Sequence, residues 1–196
     1  LRKLTRMAAP ECWQKKEYQW NADYVAKVQE SPSYKFVWRD SKTCFSCAKE
    51  QLMSMTQHNC AFCDGALGVE SRKTIEHFRP KESFPQLAYV WDNLFSCCDV
   101  CQSEKLAQFD ESLLKPDEPT YQFYHYFQVS FRTGEIQPSS IASQSHQQRA
   151  EITINLYQLN KLERCKARLK ELHAFRPHEG DMLDDFNYRF FLEAAL

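Results

Sequence analysis

Two Cys-x-x-Cys pairs constrain this chain more than any other feature: Cys60/Cys63 in "NCAFCDG" and Cys98/Cys101 in "FSCCDVCQSEK". Zinc takes four soft or borderline donors in a tetrahedron, and two such turns can supply two sulfurs each from opposite sides of a small fold. The segment between the pairs holds short strand-like pieces, which a shared metal would staple together. A slip of one residue would put Cys97 in place of Cys98, but the spacing to Cys101 favours Cys98. His58, two residues before Cys60, is a poorer substitute ligand.

The remaining cysteines set the redox context. The chain carries nine, an odd number, and its basic N-terminus lacks an apolar stretch of signal-peptide length. That argues against a disulfide framework and for reduced thiols, so metal is the expected use of the pairs. A third pair, Cys44/Cys47, lies inside a helical pattern with no fourth pair to match it, and reads as packing cysteines. Cys12 and Cys165 read as thiols without partners. No apolar run approaches the roughly 18 residues that span a bilayer, so no membrane contact and a cytoplasmic location are expected.

Charge narrows the function classes. A formal net charge of -1 excludes a protein that coats nucleic acid by bulk electrostatics. The distribution is uneven, however: "SRKTIEHFRPK" sets Arg72, Lys73, Arg79 and Lys81 against Glu76. Such a patch on a neutral body suits an enzyme that touches a few phosphates and is delivered by something else.

The 196 residues, 43% of them hydrophobic, suffice for one domain with appendages or two small ones. Residues 1–58 read as an N-terminal helical segment: one helix runs to Ser31-Pro32, and a second, capped by Ser41, follows with Phe45, Ala48, Leu52 and Met55 on one face. Residues 59–110 carry the cysteine pairs, a strand-like "TIEHF" and a helix start at "QSEKLAQF". Residues 111–196 read as a β-hairpin around Thr133-Gly134, with "YQFYHYFQVSF" as its aromatic first strand, then helices. All three are expected to pack as one unit.

Between the pairs stand Glu76-His77 and then Asn93. The order "CAFC … IEHFRPK … WDNLFSCCDVCQSEK", from Cys60 to Lys105, resembles the zinc-bearing branch of the HNH endonuclease family. A narrower resemblance rests on "FDESLLKPDEPTYQFYHYF", "TGEI" and "ITINLYQLN". It is to the HNH nuclease subunit of Septu-type and retron-associated antiphage defence.

These resemblances imply an α+β fold with a zinc-stapled ββα-metal module, flanked by helices and a β-hairpin. They imply metal-dependent hydrolysis of DNA phosphodiester bonds, Zn2+ as a structural ion and Mg2+ or Mn2+ as the catalytic one. Glu76 and Gln102 would hold the catalytic cation, although the family has Asn or His where this chain has Gln102. Asn93 would brace the loop that holds the base, and Arg79, Lys81 and Lys105 would contact flanking phosphates. The implied partners are DNA, an ABC-like ATPase subunit and, for retron-associated systems, a reverse transcriptase with its nucleic acid.

His77 suits the task of general base, because an imidazole titrates near neutrality. On a regular strand its side chain and that of Glu76 point to opposite faces, so a bulge or turn is needed to aim both at one phosphate. Two alternatives stand beside the DNA nuclease. One is a non-catalytic zinc adaptor with a degenerate site; the other is an HNH-type ribonuclease acting on tRNA.

Overall fold

The structure is a computed structural model that describes residues 1–39, 42–68 and 71–196. Ser41, the expected helix cap, lies outside the described residues. The fold is mixed α+β, with helices around two small antiparallel sheets. No described helix is long and apolar enough to cross a membrane.

The first sheet organises the molecule. Strand β1 (Lys73–His77) pairs with β2 (Leu94–Cys98) in an unbroken register from Lys73 opposite Cys98 to His77 opposite Leu94. Helix α4 (Asp99–Lys105) begins directly after β2 and rests on both strands. Side chains of adjacent residues leave opposite faces of a strand, and here both faces are buried. Ile75 and Leu94 face an aromatic cluster with Trp13, Trp20, Tyr24, Tyr89 and Trp91. Phe95 and Cys97 face a second core with Phe62, Leu114, Tyr121, Tyr157 and Phe191.

The N-terminal helices build the first of these cores. A single turn, α1 (Glu11–Gln14), breaks at Lys15-Lys16 before α2 (Glu17–Glu30), where the sequence suggested one continuous helix. The second ends where expected: Ser31, preceding Pro32, is extended at φ -143° and ψ 101°, the region that a following proline enforces. Helix α3 (Cys44–Met55) buries Cys44, Ala48 and Leu52 along one stripe. A disulfide joins Cys12 to Cys44 and ties α1 to α3, which corrects the reading of Cys12 as unpartnered and of Cys44 as a packing thiol. Burial of Trp13 brings its neighbour Cys12 against α3, a tertiary effect that sequence spacing does not carry.

The expected hairpin exists in shortened form. "FYHY" forms a helical turn, α5 (Phe123–Tyr126), and only Phe127–Val129 (β3) pairs with Ile136–Pro138 (β4). Tyr121 and Tyr126 stack with ring centres 5.6 Å apart, and both are buried. These aromatics pack a core. Gly134 takes φ +76° where any side chain would collide with the Cys165 carbonyl. Helix α6 (Gln144–Leu156), capped by Ser143, and α7 (Leu162–Ala174) follow as expected. After Gly180 the chain makes a 3-10 turn and a short helix, α8 (Arg189–Glu193).

Candidate metal centre and the adjoining acid–histidine step

Each cysteine pair sits on a local device that aims it. In the first, the Cys60 amide donates to the Gly65 carbonyl (2.8 Å), and the Asp64 amide donates to the Cys60 carbonyl (2.9 Å). The Ala61 amide donates to Ser96 of β2 at 3.0 Å, which pins the turn to the sheet. In the second, Cys98 is the N-cap of α4, and its sulfur accepts from the Cys101 amide at 3.3 Å.

The four sulfurs of Cys60, Cys63, Cys98 and Cys101 are buried and lie within 4.8 Å of one another. In a tetrahedron with metal–sulfur bonds of about 2.3 Å, sulfurs are about 3.8 Å apart. Cys63 Sγ and Cys98 Sγ stand 3.7 Å apart. The donor set and its spacing fit zinc. Cys97 is not in the group, although its sulfur lies 4.0 Å from that of Cys60; its thiol donates to the Cys98 carbonyl at 3.2 Å. Cys98 is therefore the residue that completes the set.

Two buried arginines support the centre, and neither was singled out from the sequence. Arg164 of α7 donates from Nη2 to Cys101 Sγ at 3.1 Å. Burial opposes its charge, but the neighbouring thiolates outweigh that and raise its pKa. Four thiolates around a divalent ion leave a net charge near -2, and Arg164 offsets part of it in a place water does not reach. Arg189 makes a buried pair with Asp64, Nη2 to Oδ1 at 2.6 Å, holding the first turn from the C-terminal side. Arg189 carries a sequence signal, a cation set among Tyr188, Phe190, Phe191 and Leu192, whereas Arg164 stands among charged residues and carries none.

The acid–histidine step lies at the end of β1. The ladder there has no bulge, and the contacts follow the alternation that a regular strand dictates. Glu76 faces α4, where the Lys105 ammonium meets its carboxylate at 2.7 Å. Lys105 is 0% exposed and also donates to the His77 carbonyl at 3.1 Å. Burial raises the Glu76 pKa, while Lys105 and then the Gln102 amide pull it down; the net direction is up. Gln102 also donates to the Ile75 carbonyl at 2.9 Å.

His77 faces the other way. Its ring is 7% exposed, stacked on Trp38 at 5.3 Å with planes 9° apart, and met edge-on by Phe36. Its Nε2 lies 2.9 Å from the Ala88 carbonyl. A carbonyl can only accept, so Nε2 carries the proton and Nδ1 keeps the lone pair. Burial, aided by the charge of Lys81, lowers its pKa to about 4 and keeps the ring neutral. Asn93 spans the loop that delivers this carbonyl. Its side chain accepts from the Arg79 amide (2.7 Å) and donates to the carbonyls of Arg79 (3.0 Å) and Leu87 (3.1 Å).

The cations expected to meet phosphate are already engaged. Arg79 forks onto Glu111 at 2.9 and 2.5 Å, between the rings of Phe84 and Phe109. Lys81 pairs with Glu82 at 2.8 Å and lies over Phe36. Lys105, buried against Glu76, has no face open to a strand of nucleic acid. Its expected phosphate contact does not fit this placement, because ending α4 under β1 spends the ammonium on the nearest carboxylate.

No family model matches the chain. A 58-residue stretch is 36% identical to the Septu protein PtuB of Bacillus thuringiensis. It covers 29% of this chain and spans 23% of the length of that relative.

Proposed function

We propose that the chain is a zinc-stapled HNH-type endonuclease that hydrolyses DNA in antiphage defence beside an ABC-like ATPase. One observation carries the reading. Four cysteines that could hold a metal come together where β2 meets α4, and the same two strands and helix carry Glu76 and Gln102 on the α4 side of β1 and His77, with Asn93 bracing its loop, on the other. The shared segment with a Septu protein supports the defence role.

Within this reading His77 activates water through Nδ1, while the Ala88 carbonyl fixes the tautomer and Asn93 fixes the carbonyl. Zinc takes no part in the hydrolysis; it holds the turns that place β2 and α4. A divalent ion at Glu76 and Gln102 would supply charge neutralisation at the phosphate, but the donors as arranged do not fit one. The carboxylate is neutralised by Lys105, and the Gln102 Nε2 is held by the Ile75 carbonyl. Phe36 and Trp38 also cover the base. The arrangement is a closed site, and opening it is the natural task of a partner.

A second reading, a non-catalytic zinc adaptor, is favoured by the same Lys105–Glu76 pair, which fills the acid's coordination sphere from within. Cleavage of supercoiled plasmid and of tRNA separates these readings. The chain is assayed alone and with its ATPase, in Mg2+, Mn2+ or EDTA. We expect DNA nicking in the complex, dependent on the added cation and abolished in His77→Ala with fold and zinc intact. Cutting by His77→Ala at the wild-type rate would remove the base assignment. Inert complexes would favour the adaptor, and tRNA cleavage alone the ribonuclease.

A further inference from the structure

Three cysteines outside the zinc-ligand set are left unexplained by the proposed hydrolysis. Cys12 and Cys44 are joined, with Cα atoms 5.7 Å apart. Cys47 is a free, exposed thiol. Its amide donates to the Thr43 carbonyl at 3.0 Å, so the first turn of α3 is regular and places Cys47 one turn beyond Cys44. Residues three apart on a helix are neighbours on its surface. Cys44 opens a 12-residue helix, where the N-terminal dipole favours a thiolate and so makes Cys44 a good leaving group when an external thiol attacks Cys47 in a Cys44–Cys47 bond. Cys12 is half-buried, so the bond can be reached from outside.

We propose that Cys12, Cys44 and Cys47 form a thiol–disulfide exchange site whose reactants are thiol and dithiol reductants. The Cys47 thiolate attacks Cys44 Sγ; the Cys44–Cys12 bond breaks, and its electron pair leaves on Cys12 Sγ. The proton lost by Cys47 to solvent is regained from solvent by Cys12, and no oxidant or reductant is consumed. A dithiol then reduces the Cys44–Cys47 bond with two electrons and is itself oxidised to a disulfide. The first step frees α1 from α3, and the second leaves all three thiols reduced. Phe45, next to Cys44, lies 5.0 Å from Trp38, which stacks on His77, so the exchange adjoins the layer covering that ring. The exchange itself stands apart from the proposed hydrolysis.

The test uses the zinc-loaded full chain in buffers of defined reduced-to-oxidised dithiothreitol ratio. Samples are quenched in acid, alkylated and mapped by peptide mass. Wild type should show a Cys12–Cys44 peptide that gives way to Cys44–Cys47 before both are reduced. In Cys47→Ser the intermediate should vanish, and opening of Cys12–Cys44 should slow by at least about fivefold. In Cys12→Ser the Cys44–Cys47 bond should still form. A Cys12–Cys44 bond absent at every ratio overturns the proposal. So does an unchanged opening rate in Cys47→Ser, or failure of Cys12→Ser to form the remaining pair.

Discussion

The thiol cluster and the acid–histidine step lie at two ends of one strand pair, yet they are built in opposite ways. Four sulfurs from two turns converge on one point, where they could hold a metal ion. Glu76 and His77, adjacent in sequence, diverge to opposite faces of β1, and each already has protein partners. The first arrangement gathers four metal donors around one point; the second pairs each group within the protein. A tight turn can converge side chains locally, whereas aiming two strand neighbours at one atom takes a change of backbone that β1 does not make.

The contrast can be broken most forcefully at the cluster. Cys101→Ser removes one thiolate from the proposed zinc site, and structural zinc contributes on the order of 10 kcal/mol to folding. The variant is expected to lose zinc and the cooperative near-ultraviolet circular dichroism transition of the wild type. A variant that melts cooperatively at the wild-type temperature would show that the fold does not lean on the metal.

At the other end, Lys105→Met leaves the buried Glu76 carboxylate without its cation. Breaking a buried pair by removing one partner costs about 3–5 kcal/mol. Denaturant unfolding should show that loss, and the double variant Lys105→Met/Glu76→Gln should recover most of it. A loss below about 1 kcal/mol, far under that range, would mean that water or a bound cation already reaches Glu76, which would make the two ends more alike than they look.

The smallest effect concerns the neutral ring of His77. Burial lowers its pKa to about 4 in the fold, against about 6.5 in the unfolded chain. The stability this contributes is complete above about pH 6.5 and falls as the pH drops towards about 4, because the unfolded chain takes up the proton first. Between about pH 7.5 and 5.5 wild type should lose about 1 kcal/mol more than His77→Gln in chemical denaturation. Equal losses would place the ring in contact with solvent.

What the sequence disclosed follows the same division. Cys-x-x-Cys spacing is a local code, so the convergence of Cys60, Cys63, Cys98 and Cys101 was legible, as were β1 and the end of α2 at Ser31-Pro32; the helix read from Gln102 onward starts earlier, at Asp99, and ends at Lys105. The surroundings of the site were not. Lys105 read as a surface cation because its pattern on a short helix carries no sign of the carboxylate beneath it. Arg164 and Arg189 find their partners, Cys101 and Asp64, far away in sequence, and Trp38 reaches His77 from a segment with no regular structure. The Cys12–Cys44 bond depends on how α1 docks, which the odd cysteine count spoke against. "YQFYHY" alternates like a strand, but turns helical because Tyr121 and Tyr126 stack into the core.

The central claim is that these four sulfurs, and no others, hold one zinc ion. Metal analysis of purified wild type, Cys97→Ser and Cys98→Ser tests it most directly. The account predicts about one zinc per chain in wild type and in Cys97→Ser, and little or none in Cys98→Ser. A metal-free wild type, or zinc lost from Cys97→Ser but kept by Cys98→Ser, would contradict it.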